Sequence, residues 1–170
     1  MVVLLVSDTS VLIDLERGGL LDAVFGLPFH VAVPDLLYER EMRHWAGPDL
    51  ASKGLKVLAL VPAGVALAQE YRRREPKLSL PDAFALALAK SGSHVLLAGD
   101  ASLRALAEIE AVECHGVLWV LDALEEHRLV NSSNLDDSLT RISQHPRCRL
   151  PRHEVQKRLE RYRRSPCTSI

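Results

Sequence analysis

Four acidic residues stand at points of the sequence where a fold can use a carboxylate for chemistry. Asp8 directly follows an apolar run that predicts a buried strand, and Asp100 follows a second run of the same kind. Asp82 comes just after a proline, in the first turn of a predicted helix. Glu39 lies inside another predicted helix. Two of the acids therefore mark the ends of strands, and two lie on helices.

Four neighbouring carboxylates favour a bound metal ion. Two ionised carboxylates about 5 Å apart repel each other by roughly 3 kcal/mol at an effective dielectric constant near 20. A fold tolerates four of them only if some are protonated or a cation joins them. Ligands that are all oxygen atoms select Mg²⁺ or Mn²⁺ over zinc. Such an ion lowers the pKa of a bound water and neutralises charge on a phosphodiester under attack. The residue types predict this chemistry, but spacing alone does not establish that the four acids converge.

The predicted strands and helices that carry these acids alternate along the sequence. Short aliphatic runs predict strands at residues 2–6, 30–33, 55–61, 94–98 and 112–115. Helical patterns fill the intervals, at residues 11–17, 35–45, 63–74, 79–90, 101–108 and 117–127, with a loop around Gly47 and Pro48. This alternation predicts an α/β sandwich around a mostly parallel sheet. Ligands of such sheets sit beyond the carboxyl ends of the strands, which is where Asp8 and Asp100 lie.

The composition predicts a globular body with a basic end. Hydrophobic residues make up 48% of the 170 residues and charged residues 25%, which is ordinary for a folded domain. Residues 1–130 contain 12 Lys and Arg against 18 Asp and Glu, whereas residues 131–170 contain 9 against 4. We therefore expect a domain at residues 1–130 and a basic, helical C-terminal extension at residues 131–170. The extension is either an RNA clamp or an exposed amphipathic helix.

Cysteine usage and the first residues predict a cytoplasmic protein that does not enter a membrane. Cys114, Cys148 and Cys167 are too few and too scattered for a disulfide framework, which indicates a reducing compartment. The apolar run at residues 1–6 has no basic flank and meets polar residues at once. It is too short for a signal sequence or a membrane span.

Four stretches of the sequence resemble, in order, the motifs of the PIN-domain family, which includes the VapC-type toxins of toxin–antitoxin pairs. The stretches are VSDTSVLI at residues 6–13, VPDLLYE at 33–39, LPDAFALA at 80–87 and LLAGD at 96–100. The resemblance spans roughly residues 2–130. It implies a three-layer α/β sandwich and a Mg²⁺- or Mn²⁺-dependent ribonuclease that hydrolyses RNA phosphodiesters.

The same resemblance assigns the metal site. The acids that match the family's metal-binding residues are Asp8, Glu39, Asp82 and Asp100. Glu41 lies two residues beyond Glu39, roughly 200° around an α-helix, so only one of the two can face the site. Leu36, three residues before Glu39, favours Glu39, as a ligand or as the base that orients water. Thr9 or Ser10 matches the small hydroxyl residue that supports the first aspartate.

The resemblance also implies partners: an RNA substrate, a small antitoxin protein and a second copy of the chain in a homodimer. Two alternatives stay open. One is a catalytically silent PIN fold that binds RNA or protein, which the presence of all four acids disfavours. The other is a metal-dependent phosphoesterase that acts on DNA or on a small phosphate ester. The basic run at residues 72–74 is better explained as a solvated helix end than as an RNA contact.

Overall fold

Five parallel strands form one sheet in the computed structural model, which describes residues 3–165. Val2, the first residue of the predicted N-terminal strand, and Cys167 lie outside the described residues, as do residues 166–170 of the predicted extension. The strands stand in the order β3-β2-β1-β4-β5. Their bounds are β1 Leu4–Ser7, β2 His30–Pro34, β3 Lys56–Leu58, β4 Val95–Leu97 and β5 Cys114–His115.

Ten α-helices, counted within residues 3–165, connect and follow the strands. The helices of the first half are α1 Thr9–Arg17, α2 Leu21–Val24, α3 Asp35–Leu37, α4 Gly47–Ser52 and α5 Pro62–Arg74. Those of the second half are α6 Leu80–Gly92, α7 Ala101–Ile109, α8 Val117–Glu126, α9 Ser132–Gln144 and α10 Arg152–Arg164. A π-helical turn, Tyr38–Met42, continues α3.

The sheet order creates a switch point between β1 and β4. The chain moves outward from β1 through β2 to β3, and then returns to place β4 on the other side of β1. Leu5 is paired with Val31 of β2 on one side and with Val95 of β4 on the other. The loops after β1 and β4 therefore diverge at the carboxyl edge of the sheet and leave a crevice, the usual ligand position in folds of this kind.

Helices cover both faces of the central strands. All four residues of β1 are buried, which requires packing on each side because successive side chains point to opposite faces. Helix α6 lies against β1, β2 and β4, and packs on α5. Seven consecutive residues of α6, from Ala83 to Ala89, are buried, so this helix is enclosed on all sides. Helices α1, α2, α8 and α9 pack against one another as a second group. The α/β sandwich with a parallel sheet is thus confirmed.

Two segments differ from the sequence expectation. The helix predicted over residues 35–45 is instead a short α-helix followed by the π-helical turn. Where a loop was predicted around Gly47 and Pro48, the chain forms α4, because proline in the first turn of a helix sacrifices no intrahelical hydrogen bond. The outer strands are also shorter than predicted.

The last two helices pack on the body through an apolar face. Leu135, Leu139 and Ile142 of α9 are buried, as are Leu159 and Tyr162 of α10. Helix α9 contacts α1, α8 and α10. The boundary at residue 130 between a domain and an extension stays a prediction. No helix within residues 3–165 is both long and apolar enough to cross a bilayer.

Candidate metal centre

Asp8 lies at the centre of the carboxyl edge, directly after β1. Its Oδ1 accepts a hydrogen bond from the backbone N–H of Val11 at 2.9 Å, which makes Asp8 the N-cap of α1. Its Oδ2 accepts from the Ser10 hydroxyl at 2.8 Å and from the backbone N–H of Gly99 at 2.9 Å. These three bonds fix the carboxylate between the loops that follow β1 and β4. Only 2% of the residue is exposed.

Gly99 is necessary for this arrangement because the backbone after β4 comes very close to Ser10. A Cβ atom at Gly99 would lie 2.5 Å from Ser10 Oγ, the same oxygen that donates to Asp8. Thr9 and Ser10 both match the hydroxyl residue that supports the first aspartate, and the hydrogen bond belongs to Ser10. The Gly99 donor is not predictable from the sequence, since a backbone N–H leaves no mark in a side-chain pattern.

Burial raises the pKa of Asp8 to about 6, although its three hydrogen bonds oppose the shift. The negative charge of Asp82 adds to the rise. Ser7 and Asp8 are buried polar residues inside an otherwise apolar region of the sheet. The fold therefore holds Asp8 in a place where its charge is costly, and a cation would relieve that cost.

Asp100 is the counterpart of Asp8 on β4. It caps α7 by accepting a hydrogen bond through Oδ1 from the backbone N–H of Leu103 at 2.9 Å. Gly99 joins the two acids, since its N–H bonds Asp8 while its carbonyl group leads into Asp100. The two strand-end aspartates predicted from the sequence therefore lie at adjacent strand ends.

Asp82 is held over the same edge by the N-terminus of α6. Ser79 caps this helix: its hydroxyl oxygen accepts from the Asp82 backbone N–H at 3.1 Å and donates to Asp82 Oδ2 at 2.7 Å. Burial raises the pKa of Asp82, and the charges of Glu41 and Asp100 raise it further. Asp82 therefore feels the negative charges of both Glu41 and Asp100. The role of Ser79 was readable from its position three residues before the aspartate.

The structure brings Glu41, and not Glu39, to the acidic edge. Glu41 Oε2 accepts a hydrogen bond from the hydroxyl of Thr9, the residue after Asp8. Glu39 instead forms an ion pair with Arg43 at 2.7 Å, and 55% of its side chain is exposed. Glu39 also borders a shallow surface pocket of about 410 Å³ beside Phe84. The expectation that Glu39 faces the site does not fit this geometry.

The reason is the π-helical turn. Its defining bond runs from the Arg43 N–H to the Tyr38 carbonyl at 2.8 Å, five residues apart instead of four. Leu37 and Met42, also five residues apart, are both fully buried. Counting faces from Leu36 at α-helical spacing therefore does not hold across this turn. π-helical turns occur frequently at functional sites.

The four acids have the ligand chemistry that suits a hard divalent cation. They lie at the same edge of the sheet but do not form a closed coordination site. Within residues 3–165, no three Asp, Glu, His or Cys side chains are grouped closely enough to hold a metal ion as they stand. All four groups offer oxygen, the ligand atom that Mg²⁺ and Mn²⁺ prefer. Asp100, Asp82 and Glu41 each use one carboxylate oxygen for a local hydrogen bond. The oxygens are Asp100 Oδ1, Asp82 Oδ2 and Glu41 Oε2. The donor set therefore fits the ion.

Seven of the basic residues singled out in the sequence are bonded within the protein. Arg73 pairs with Glu70, Arg74 pairs with Glu110, and Arg72 donates to the Leu78 carbonyl. In the C-terminal helices, the paired arginines are Arg158, Arg161, Arg163 and Arg164. The arrangement fits a solvated helix end and a folded helical pair better than two RNA-binding arms.

A family model described as a PIN domain matches residues 4–164, which covers the sheet, the acidic edge and both C-terminal helices. No curated protein is similar enough in sequence to be counted as a relative.

Proposed function

The chain belongs to the PIN-domain family, whose members are generally nucleases, and we propose that it is a metal-dependent ribonuclease that hydrolyses RNA phosphodiesters. The observation that carries the proposal is the crowding of ionisable acids at one edge of the sheet. Asp8 and Asp82 both have raised pKa values, and each feels the charge of another acid. Proteins place perturbed acids together at functional sites far more often than elsewhere.

We assign the metal ligands to Asp8, Asp82 and Asp100, and Glu41 replaces Glu39 as the fourth acid. Mg²⁺ or Mn²⁺ would supply positive charge that polarises the phosphodiester and acidifies an attacking water. Glu41 is exposed and keeps Oε1 for orienting that water, while Oε2 is bonded to Thr9. A catalytically silent binding module is not favoured, because such a module has no use for buried carboxylates whose charge the fold leaves unbalanced.

The supporting residues have distinct tasks in this proposal. Ser10 and Gly99 orient the Asp8 carboxylate from opposite loops, Ser79 orients Asp82, and the Leu103 N–H orients Asp100. Three of the four acids thereby have a fixed position before a cation or RNA arrives. Such preorganisation lowers the cost of assembling the site during the reaction.

We further propose that the protein is the toxin of a type II toxin–antitoxin pair, that a small antitoxin silences it, and that it acts in the cytoplasm as a homodimer. The support is the similarity of its four motifs to those of VapC-type toxins. Expression of the wild-type chain alone should arrest growth, whereas Asp100→Asn should not. Arrest by both variants would contradict a toxic nuclease activity.

The decisive experiment is cleavage of structured RNA, including tRNA, by the purified protein. We expect cleavage with Mg²⁺ or Mn²⁺, none with a chelator, and none by Asp8→Asn or Asp100→Asn. Asp100→Asn is the sharper variant because asparagine caps a helix as well as aspartate does, so the fold is preserved. Single-stranded DNA and a small phosphate diester in parallel reactions test the other phosphoesterase class. Intact RNA in every reaction of a folded, inhibitor-free protein would overturn the proposal.

A further inference from the structure

Arg104 lies at the carboxyl edge of the sheet, beside the acids. It is on α7, one turn after Asp100, and helical side chains lean back toward the N-terminus of their helix. Its Nη1 donates to the carbonyl of Ala98, the residue after β4, at 3.0 Å. A Cβ atom at Gly116, the residue after β5, would lie 3.0 Å from the same nitrogen. The guanidinium therefore rests across the ends of two strands.

The Arg104 guanidinium and the Asp8 carboxylate both act on the thiol of Cys114 on β5. Burial raises the pKa of this thiol to about 11, the charge of Arg104 lowers it, and the charge of Asp8 raises it. Both charges thus act on one side chain at the edge. Arg104 is on the flank of the acidic centre toward β5. Glu41 follows β2, which lies on the other side of β1 in the strand order.

Within the described part of the chain, Arg104 does not use its charge in an ion pair, as is also true of Arg72 and Arg141. Among residues 3–165, arginines 17, 43, 73, 74, 158, 161, 163 and 164 all have carboxylate partners. Arg104 has no ion pair within that part of the chain, and its one hydrogen bond goes to a neutral carbonyl. The side chain is exposed, and a guanidinium carries five N–H groups. Most of its donors therefore face solvent next to the site.

A phosphodiester needs such a cation here. The four acids together carry more negative charge than one divalent ion neutralises, so an approaching nucleic-acid backbone is repelled. Arginine is suited to phosphate because its planar donors match two phosphate oxygens at once. We propose that Arg104 binds a backbone phosphate of the RNA next to the one that is cleaved, and so positions the substrate across the acidic edge. This inference rests on the proposed ribonuclease function.

Arg141 provides a matched control. Its guanidinium also donates to a backbone carbonyl, that of Gly18, at 2.9 Å, and it has no ion pair among the described residues. Gly18 follows α1, at the end of the helix away from Asp8. Arg104→Gln and Arg141→Gln thus remove the same charge and the same kind of hydrogen bond. The first does so at the acidic edge, and the second at the end of α1 away from Asp8.

The test compares the two variants with the wild-type protein, using fluorescein-labelled tRNA. Binding is measured by anisotropy in Ca²⁺ over a range of KCl, on RNA verified to stay intact, and cleavage in Mg²⁺ gives kcat and KM. For Arg104→Gln we expect about tenfold weaker binding and a similar rise in KM, with kcat within about twofold because the contact is made before and during reaction. The slope of log K against log[KCl] should become smaller by about 0.7, the loss of one phosphate contact. Arg141→Gln should match the wild type in all four quantities.

The outcomes separate this inference from the function on which it depends. Wild-type cleavage with identical behaviour of the two glutamine variants overturns the role of Arg104 and leaves the ribonuclease intact. A wild-type protein that neither binds nor cleaves RNA overturns both. If Arg104→Gln fails to fold, Arg104→Lys decides: it keeps the charge but cannot make the paired contact, so a raised KM supports the inference and a wild-type KM overturns it.

Discussion

The acidic edge and the C-terminal helical pair use charged residues in opposite ways. In the helical pair, Asp122 of α8 accepts hydrogen bonds from Arg158 at 2.9 and 2.5 Å and from Arg161 at 2.8 Å. Arg158 also bonds Glu154 at 2.8 Å, and only 14% of its side chain is exposed. At the acidic edge, by contrast, Asp8 and Asp82 have no cationic partner among the described residues, and the pKa of each is raised.

The two regions differ in whether a charged side chain has a partner of opposite charge within the protein. Charges that hold the fold together are balanced within the protein, and the pKa of Glu154 is lowered accordingly, first by the hydrogen bond from Arg158. The charges of Asp8 and Asp82 are left unbalanced, at a cost to stability. The basic C-terminal segment, whose composition predicted an electrostatic arm, has four arginines of the first class: Arg158, Arg161, Arg163 and Arg164.

The largest expected effect is a pH dependence confined to the acidic edge. The folded protein holds the Asp8 proton up to a pKa of about 6, against an ordinary 3.8, so it binds more protons than the unfolded chain in that window. The contribution of Asp8 to stability is thus lost as pH rises from 3.8 to 6, and amounts to about 3 kcal/mol. Denaturant unfolding in EDTA should show the free energy of unfolding of the wild type falling by this amount over the same pH range, relative to that of Asp8→Asn. The variant's defect in hydrogen bonding is the same at every pH, so it cancels from this comparison. A flat difference would show that the charge is balanced after all. Saturating Mg²⁺ should remove the loss, since the cation binds the ionised form.

The second effect separates the two glutamates of the second motif. Glu41→Gln should reduce RNA cleavage by roughly 100-fold, because it removes a charge from the site. Glu39→Gln should leave cleavage unchanged, since Glu39 pairs with Arg43 at the surface. Single-turnover cleavage of one RNA by both variants is the measurement. The reverse order would return the fourth acid to Glu39 and remove Glu41 from the proposed site.

The third effect lies in the helical pair and concerns stability alone. Arg158→Ala removes the mostly buried arginine that Asp122 and Glu154 share as a partner. It should lower the free energy of unfolding by about 2 kcal/mol. Cleavage per folded molecule should stay at the wild-type rate. Denaturant titration and active-site-normalised cleavage give the two numbers. A loss of cleavage without a loss of stability would mean that this arginine contacts RNA.

The smallest effect tests the exposed surface of the last helix. Arg164 is 81% exposed and its oxygen partner on Glu160 is 3.7 Å away. Arg164→Gln should change stability by less than about 0.5 kcal/mol, and should leave the affinity for tRNA unchanged. An affinity loss comparable to that of Arg104→Gln would break the contrast between the two regions and restore the RNA clamp as the explanation of the basic segment.

The parts of the fold that the sequence predicted correctly are those with a strong local pattern. The strands at residues 4–7, 30–34 and 95–97 are buried on both faces, so they show as short, continuous aliphatic runs. Their order along the chain with helices between them predicts a parallel sheet. Asp8 directly follows β1 and Asp100 lies three residues after the end of β4, at the edge that the topology fixes for parallel strands. Their role as metal ligands stays a prediction.

The parts that the sequence did not predict depend on geometry that residue types do not record. Choosing between Glu39 and Glu41 required knowing that one turn of the helix has a five-residue hydrogen bond. The support of Asp8 by Gly99 joins a backbone N–H to a side-chain carboxylate 91 residues away along the chain. The pairing state of each arginine depends on which helices pack together, so a basic composition alone could not distinguish Arg104 from Arg158.

The contact between α9 and α1 has a consequence for the order in which the protein matures on the ribosome. Helix α1 begins at Asp8, and its far end is closed by α9: Arg141 bonds the Gly18 carbonyl, and Ile142 packs so closely that a Cβ atom at Gly18 would lie 2.8 Å from its Cδ1. Helix α1 thus obtains its last packing partner only after more than a hundred further residues have been synthesised. The end of α1 opposite to Asp8 therefore stays uncovered until α9 has left the ribosome.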